Sequence, residues 1–372
     1  MTENRTKMST VTRTIIILLL AALALTACGK HTHTPDDPDQ PALIGFAPMS
    51  NDAMVKTRTS TDPSSLESLS RYHQDFGVWG IGRKGTSTVN LWGNTFVQAI
   101  YNASSDSYIP VADEYWTAEH TYNFIAVAPY TGAAENITSG ITAGNQSGDE
   151  RLSFTFDMGE KYAPSTEGVA PDYDFDLMAT VAKSVVGSSA SAHTEKTVPL
   201  IFEHLLSQIN VYVSFATDLA GNSIEGRVTK IKLCNILPSA AYTVSSNNGK
   251  LNIGCNTTGV TDADVEVNYS FPDEDEKETK GTSTNPDLTI NIIPQSVDDD
   301  MALSLDFEIK EDESWVKYEG LTIKLKGSGL PESYERNGKY NWNITIGTGA
   351  SIKFNVTVGG WSDGTTGDPI EM

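Results

Sequence analysis

Tyr340-Asn341-Trp342-Asn343-Ile344-Thr345-Ile346-Gly347-Thr348-Gly349-Ala350-Ser351-Ile352-Lys353-Phe354-Asn355-Val356-Thr357-Val358 is the stretch that decides the fold class. Tyr340, Trp342, Ile344 and Ile346 alternate with polar residues, and Ile352, Phe354, Val356 and Val358 do the same. Period two in β-branched and aromatic residues marks a strand with one buried face. Gly347-Thr348-Gly349 between the two runs supplies a turn, so the pair reads as a hairpin. A sheet with one apolar face has to bury it against a second layer, which points to stacked sheets.

The same alternation recurs upstream. Ile209, Val211, Val213 and Phe215 share one strand face, as do Ile231 and Leu233, then Val265, Val267, Tyr269 and Phe271. Leu288, Ile290 and Ile292 follow, then Leu303, Leu305, Phe307 and Ile309, and lastly Leu321, Ile323 and Leu325. Nearer the N-terminus the strand candidates are 42–47, 76–81, 122–128, 152–158 and 176–182. Residues 200–209 fit a helix or an edge strand with a bulge about equally. A serine-rich stretch from Val185 to Thr197 separates the two groups, and 372 residues exceed what one core usually organises. The expectation is an all-β protein of two tandem β-sandwich domains, 42–196 and 197–372.

Ahead of these lies a leader. Arg5, Lys7 and Arg13 precede an unbroken apolar run from Ile15 to Leu25. Such a run spans about 16 Å as a helix, well short of a bilayer core, so it reads as a signal peptide. Leu25-Thr26-Ala27-Cys28 closely resembles a bacterial lipobox. That resemblance implies cleavage of 1–27 and a lipid on Cys28 that anchors the chain in the outer membrane. Residues 28–41, with three prolines and no periodicity, read as a flexible tether. His31 and His33 within it lack the further ligands a metal site needs.

The chain carries 26 Lys+Arg against 48 Asp+Glu, a formal charge of −22. Such a body repels phosphate backbones, which argues against nucleic acid as a partner. No zinc-protease, nucleophile-elbow, phosphate-loop or dinucleotide motif occurs, so no enzyme activity, cofactor or metal is expected. His204 reads as a strand histidine bonded to backbone, and Asp273-Glu274-Asp275-Glu276 as a solvated turn. Cys234 and Cys255 are compatible with a disulfide or with two free thiols. Trp92 and Trp116 sit among polar residues and are expected at the surface, where their rings could stack on sugars.

The order of these pieces is similar to that of fimbrillin-family lipoproteins. The lipobox, the tether, Ile44-Gly45-Phe46, an arginine-bearing polar loop and Phe76-Gly77-Val78-Trp79-Gly80 look like the family's opening. Val198-Pro199-Leu200-Ile201-Phe202-Glu203-His204-Leu205-Leu206-Ser207-Gln208-Ile209 resembles the start of its second domain. Gly338-Lys339-Tyr340-Asn341-Trp342 and Val356-Thr357-Val358-Gly359-Gly360-Trp361 resemble its ending. The resemblance implies transthyretin-like (Greek-key) sandwiches that build or cap type V pili as stalk, tip or anchor subunits. It further implies that a trypsin-like protease cuts after an arginine and removes the first strand, whose groove then takes a segment of another pilus subunit. In this chain the cut would fall between Arg58 and Thr59. The departing strand would be Leu43 to Ala47, with Leu43, Ile44 and Phe46 as its exchanged side chains. The alternative is a monomeric surface lipoprotein that binds glycans through Trp92 and Trp116.

Overall fold

The computed structural model describes residues 42–49, 75–105, 107–130, 142–146, 149–158, 175–186, 197–217, 224–247, 250–257, 265–270, 286–311, 314–327, 329–347 and 351–360. Strands fill most of these residues. In chain order they are β1 (Gly45–Met49), β2 (Phe76–Lys84), β3 (Ser87–Asn90), β4 (Val97–Asn102), β5 (Ser107–Pro110), β6 (Thr121–Ala128), β7 (Thr142–Gln146), β8 (Asp149–Asp157) and β9 (Met178–Val185). There follow β10 (Thr197–Ile201), β11 (Glu203–His204), β12 (Ser207–Phe215), β13 (Gly226–Ile236), β14 (Ser239–Asn247), β15 (Lys250–Asn256) and β16 (Val265–Ser270). The last are β17 (Leu288–Ile292), β18 (Gln295–Ser296), β19 (Ala302–Glu311), β20 (Ser314–Lys324), β21 (Ser333–Tyr334), β22 (Gly338–Ile346) and β23 (Ile352–Gly360). Among the described residues there is one 3-10 turn, Leu91–Asn94, and no α-helix.

The protein is all-β. A first, nine-stranded sheet has the order β10-β1-β5-β4-β2-β6-β9-β11, with β3 beside β2. Three four-stranded sheets follow: a second, β15-β14-β8-β7; a third, β17-β12-β22-β23; and a fourth, β16-β13-β19-β20. The 340–358 hairpin forms as its alternation requires, with Tyr340 opposite Val358 and Ile346 opposite Ile352. Residues 200–209 resolve into strands, interrupted at Phe202 and at Leu205 and Leu206.

The two ends of the first sheet are built by one short stretch. β10 pairs in parallel with β1, and β11, one residue later, pairs antiparallel with β9. Phe202 between them is buried and meets Phe76 edge to face at 5.6 Å. The sheet therefore curls closed around an aromatic core that includes Phe46, Phe76, Tyr108, Trp116 and Phe124.

Both faces of β2 and β6 are buried. Phe76 and Val78 point into the curled core, whereas Trp79 and Ile81 point out of it and pack with Leu152, Phe154 and Phe156 of β8 in a second core. That second core runs on between the third and fourth sheets through Ile209, Trp342, Leu305 and Phe307. Gly80 faces inward, and a methyl group there would sit 2.7 Å from the Phe124 ring and 2.8 Å from Leu91.

The division expected at 196/197 is crossed by strand pairing. β10 and β11 complete the first sheet, and β8 pairs along its length with β14, from Asp157 opposite Ser239 to Glu150 opposite Ser246. The physical reason is simple: a serine-rich stretch announces a connection but does not say which sheet receives the next strand.

A polar clasp joins the first sheet to the second. Arg83 Nε of β2 lies 3.1 Å from Glu150 Oε1 of β8, and Asn123 Nδ2 of β6 reaches the same oxygen at 3.5 Å. Glu150 is almost wholly buried, so removing its cationic partner would strand a carboxylate away from water. Arg83→Ala is expected to lower stability by about 2–4 kcal/mol, and the double variant Arg83→Met/Glu150→Leu to recover most of that, both read by denaturant unfolding. Gly80→Ala is expected to cost about 1–3 kcal/mol through overpacking, read the same way.

Candidate functional site

The candidate site is the slot in which β1 lies. Its floor is apolar because Ile44 and Phe46, two residues apart, both point inward and are fully buried (0% exposed). The Phe46 ring meets Phe124 edge to face at 5.2 Å and Phe76 at 6.0 Å, and lies tilted against Trp92 at 6.5 Å. Gly45 and Ala47 occupy the alternate positions.

Backbone pairing around the slot is uneven. On one side β1 runs parallel to β10 over five residues, from Gly45 opposite Thr197 to Met49 opposite Ile201. On the other side, β5 meets it through Phe46 opposite Tyr108 alone. Just upstream, Leu43 forms an isolated bridge with Tyr115, Ile44 N–H donates to Glu114 O at 2.9 Å, and Trp116 N–H donates to Ala42 O at 3.0 Å. Pro48 on β1 and Pro199 on β10 carry no N–H, which thins the ladder further. Parallel pairing is also slightly weaker per residue than antiparallel. β1 is thus held more by its side chains than by its backbone.

The walls contain the two tryptophans expected at the surface, and that expectation is corrected here. Trp92 is 7% and Trp116 2% exposed. Trp92, Gly93 and Asn94 all have left-handed backbone, with φ of 50°, 63° and 66°. A tryptophan rarely accepts that conformation, and the run turns its ring inward against Phe46 and Phe124. Its amide N–H donates to Glu114 Oε1 at 2.9 Å and its indole N–H to Ala112 O at 2.9 Å. Trp116 packs edge to face against Tyr122 at 5.0 Å and Phe124 at 6.1 Å. Both rings line the slot and neither offers a face to sugar. Of the remaining tryptophans among the described residues, Trp315 is the exposed one, at 40%.

Tyr108, opposite Phe46, has a hydroxyl buried without a hydrogen-bond partner among the described residues. Burial, and then the nearby Asp75 carboxylate, push its pKa well above the usual phenol range, so it stays neutral. His204 is fully buried, and its Nδ1 lies 2.8 Å from Asp176 Oδ2 rather than on the backbone. The pair fastens β11 beside β9. Cys234 and Cys255 are not joined in a disulfide, and burial raises the pKa of Cys255. Among the described residues no group of three or more His, Cys, Asp or Glu is placed to hold a metal ion. Cys28, His31, His33, Arg58, Thr59 and the acidic run 273–276 lie outside the described residues.

A curled sheet that encloses a short, unevenly paired strand, followed by further sheets packed over a second core, defines a layered all-β architecture. A family model described as fimbrillin-like matches residues 57–361, and the chain belongs to that family. Among solved structures, a fimbrial protein from Bacteroides vulgatus is similar at a TM-score of 0.55 and 17% identity, covering 86% of this chain and 99% of that one. A cell adhesion protein from Bacteroides uniformis, described as putative, gives 0.48 and 16%, covering 87% of this chain and 100% of that one. No curated protein matches.

Phe46→Ala in the intact chain is expected to lower stability by about 3–5 kcal/mol, because the slot is walled by rings that cannot all close in on the cavity. Thermal unfolding of the two forms side by side measures it.

Proposed function

We propose that this chain is a structural, non-enzymatic subunit of a type V-like fimbria, serving as stalk, tip or anchor and acting in cell adhesion. It is exported as a lipoprotein and held at the outer membrane, on the cell surface or in the fimbria, by lipid on Cys28. Cleavage between Arg58 and Thr59 severs β1 from β2. β1 then leaves, taking Leu43, Ile44 and Phe46 with it, and an extended segment of a neighbouring subunit, identical or related, fills the slot.

The observation that carries this reading is the seating of β1, where Ile44 and Phe46 are fully buried yet the strand is paired along its length on one side only. Each large side chain withdrawn forfeits about 1.5–3 kcal/mol of burial, so an emptied slot selects for a replacement with large residues two apart. Backbone pairing sets the register of the incoming strand and the alternate side chains set its identity. The printed descriptions of the solved relatives, a fimbrial protein and a cell adhesion protein, lend support from the family side. The glycan-binding alternative through Trp92 and Trp116 loses its basis, since both rings face the slot.

The test is the mature N-terminus of protein recovered from its own cells, read by mass spectrometry. A chain beginning at Thr59 is expected. A chain that still begins at lipidated Cys28 rejects processing and strand exchange.

A further inference from the structure

The third and fourth sheets share one core but present unlike outer faces. The fourth carries the usual mixture of both signs: Arg227 pairs with Glu308 and stacks 4.4 Å from the Trp315 ring centroid, and Lys317 pairs with Glu319. On the third sheet the outward positions are the alternate residues of β17, β12, β22 and β23, and no carboxylate occurs among them. They are amides, hydroxyls and one glycine, with a lysine each on β22 and β23; Gln208, Asn210 and Asn291 are buried, so the open part of the face lies toward β22 and β23. In a chain of formal charge −22, a four-strand face without an acid is a departure that solvation does not require.

The face is ordered. Thr289, Asn210, Asn341 and Thr357 form a row across all four strands. Thr289 Oγ1 donates to Asn210 Oδ1 at 3.0 Å, and Asn210 Nδ2 donates to Asn341 Oδ1 at 3.0 Å. The relay fixes the amide orientations and ends on the half-exposed β22 side. The next row holds Tyr212, Asn343 and Asn355, with Asn343 exposed. Asn355 Oδ1 is buried and has no hydrogen-bond partner among the described residues. The Asp287 carboxylate beside this row is engaged by Val213 N–H at 2.7 Å.

We infer that this face, centred on Tyr212, Asn341, Asn343 and Asn355, is a contact site for a neutral polysaccharide. Each amide offers both donors and an acceptor, which suits a hydroxyl-rich chain that donates and accepts at every sugar. Tyrosine supplies a flat apolar ring with a polar tip, and Asn, Ser and Thr supply adaptable hydrogen bonds, a combination found where proteins recognise ligands. Everywhere else the acidic body repels anionic polymers, while an uncharged glycan meets no such barrier. The site is separate from the β1 slot and stands or falls independently of strand exchange.

Affinity electrophoresis of the full chain through gels containing mannan, arabinogalactan or dextran, with alginate as the anionic control, tests this. Retardation by at least one neutral polymer and none by alginate is expected. Asn343→Glu, at an exposed position that leaves the melting temperature unchanged, is expected to weaken binding about tenfold or more, while Trp315→Ala on the fourth sheet leaves it intact. The inference is overturned by no retardation in all three neutral gels, by retardation that Asn343→Glu does not alter, or by retardation that Trp315→Ala removes. It is equally overturned if sedimentation shows self-association that Asn343→Glu abolishes in the absence of any glycan binding, since the face would then belong to a second copy.

Discussion

The architecture depends on two pairings made by one segment: β10 beside β1, which lies about 150 residues earlier in the sequence, and β11 beside β9. Eight residues, Thr197 to His204, reach both edges of the first sheet and so convert it from an open sheet with two exposed edges into a closed one. An open edge presents unpaired N–H and C=O groups, and closure removes that liability. Val198, Leu200 and Phe202 all point inward from this segment and are buried, so the closing strand also caps the aromatic core. His204 and Asp176 then fasten its far end. The chain proceeds at once into β12, so the first sheet is closed by the residues that begin the sandwich.

Much of this could be read from residue order alone, and the parts that could not have a common cause. Period two identified the 340–358 hairpin, the 209–215 strand and the 303–309 strand, because each has one wet and one dry face. β2 was also legible as a strand, but its two dry faces were not, since burial of Trp79 and Ile81 depends on β8 packing behind them. β3, β5, β11, β18 and β21 are four residues or shorter and carry no period to detect. β14 and β15 interleave short apolar alternations with serine, threonine and asparagine, and no strand was assigned to them from the sequence.

At the slot, residues 42–47 were legible as a short strand candidate, and the structure buries Ile44 and Phe46 there. What closes over them was hidden. Polar neighbours at Asn90, Gly93 and Asn94 made Trp92 read as a surface residue, whereas consecutive left-handed backbone angles turn it inside. Trp116 misled for the same reason, its core partners Tyr122 and Phe124 lying on the strand that follows rather than beside it. Local composition reports what a residue's neighbours are, not where the backbone aims its side chain.

The parallel alignment of β1 and β10 has a mechanical consequence. The chain enters β1 at one end of their shared ladder and leaves β10, toward the sandwich, at the other. Tension between the segment preceding β1 and the sandwich therefore acts along the ladder and loads all its pairs together in shear, instead of peeling them one at a time. Resistance to such a pull is a matter of rate, set by the barrier to breaking the pairs at once. A strand seated this way withstands being tugged from its N-terminal end far better than its five residues suggest.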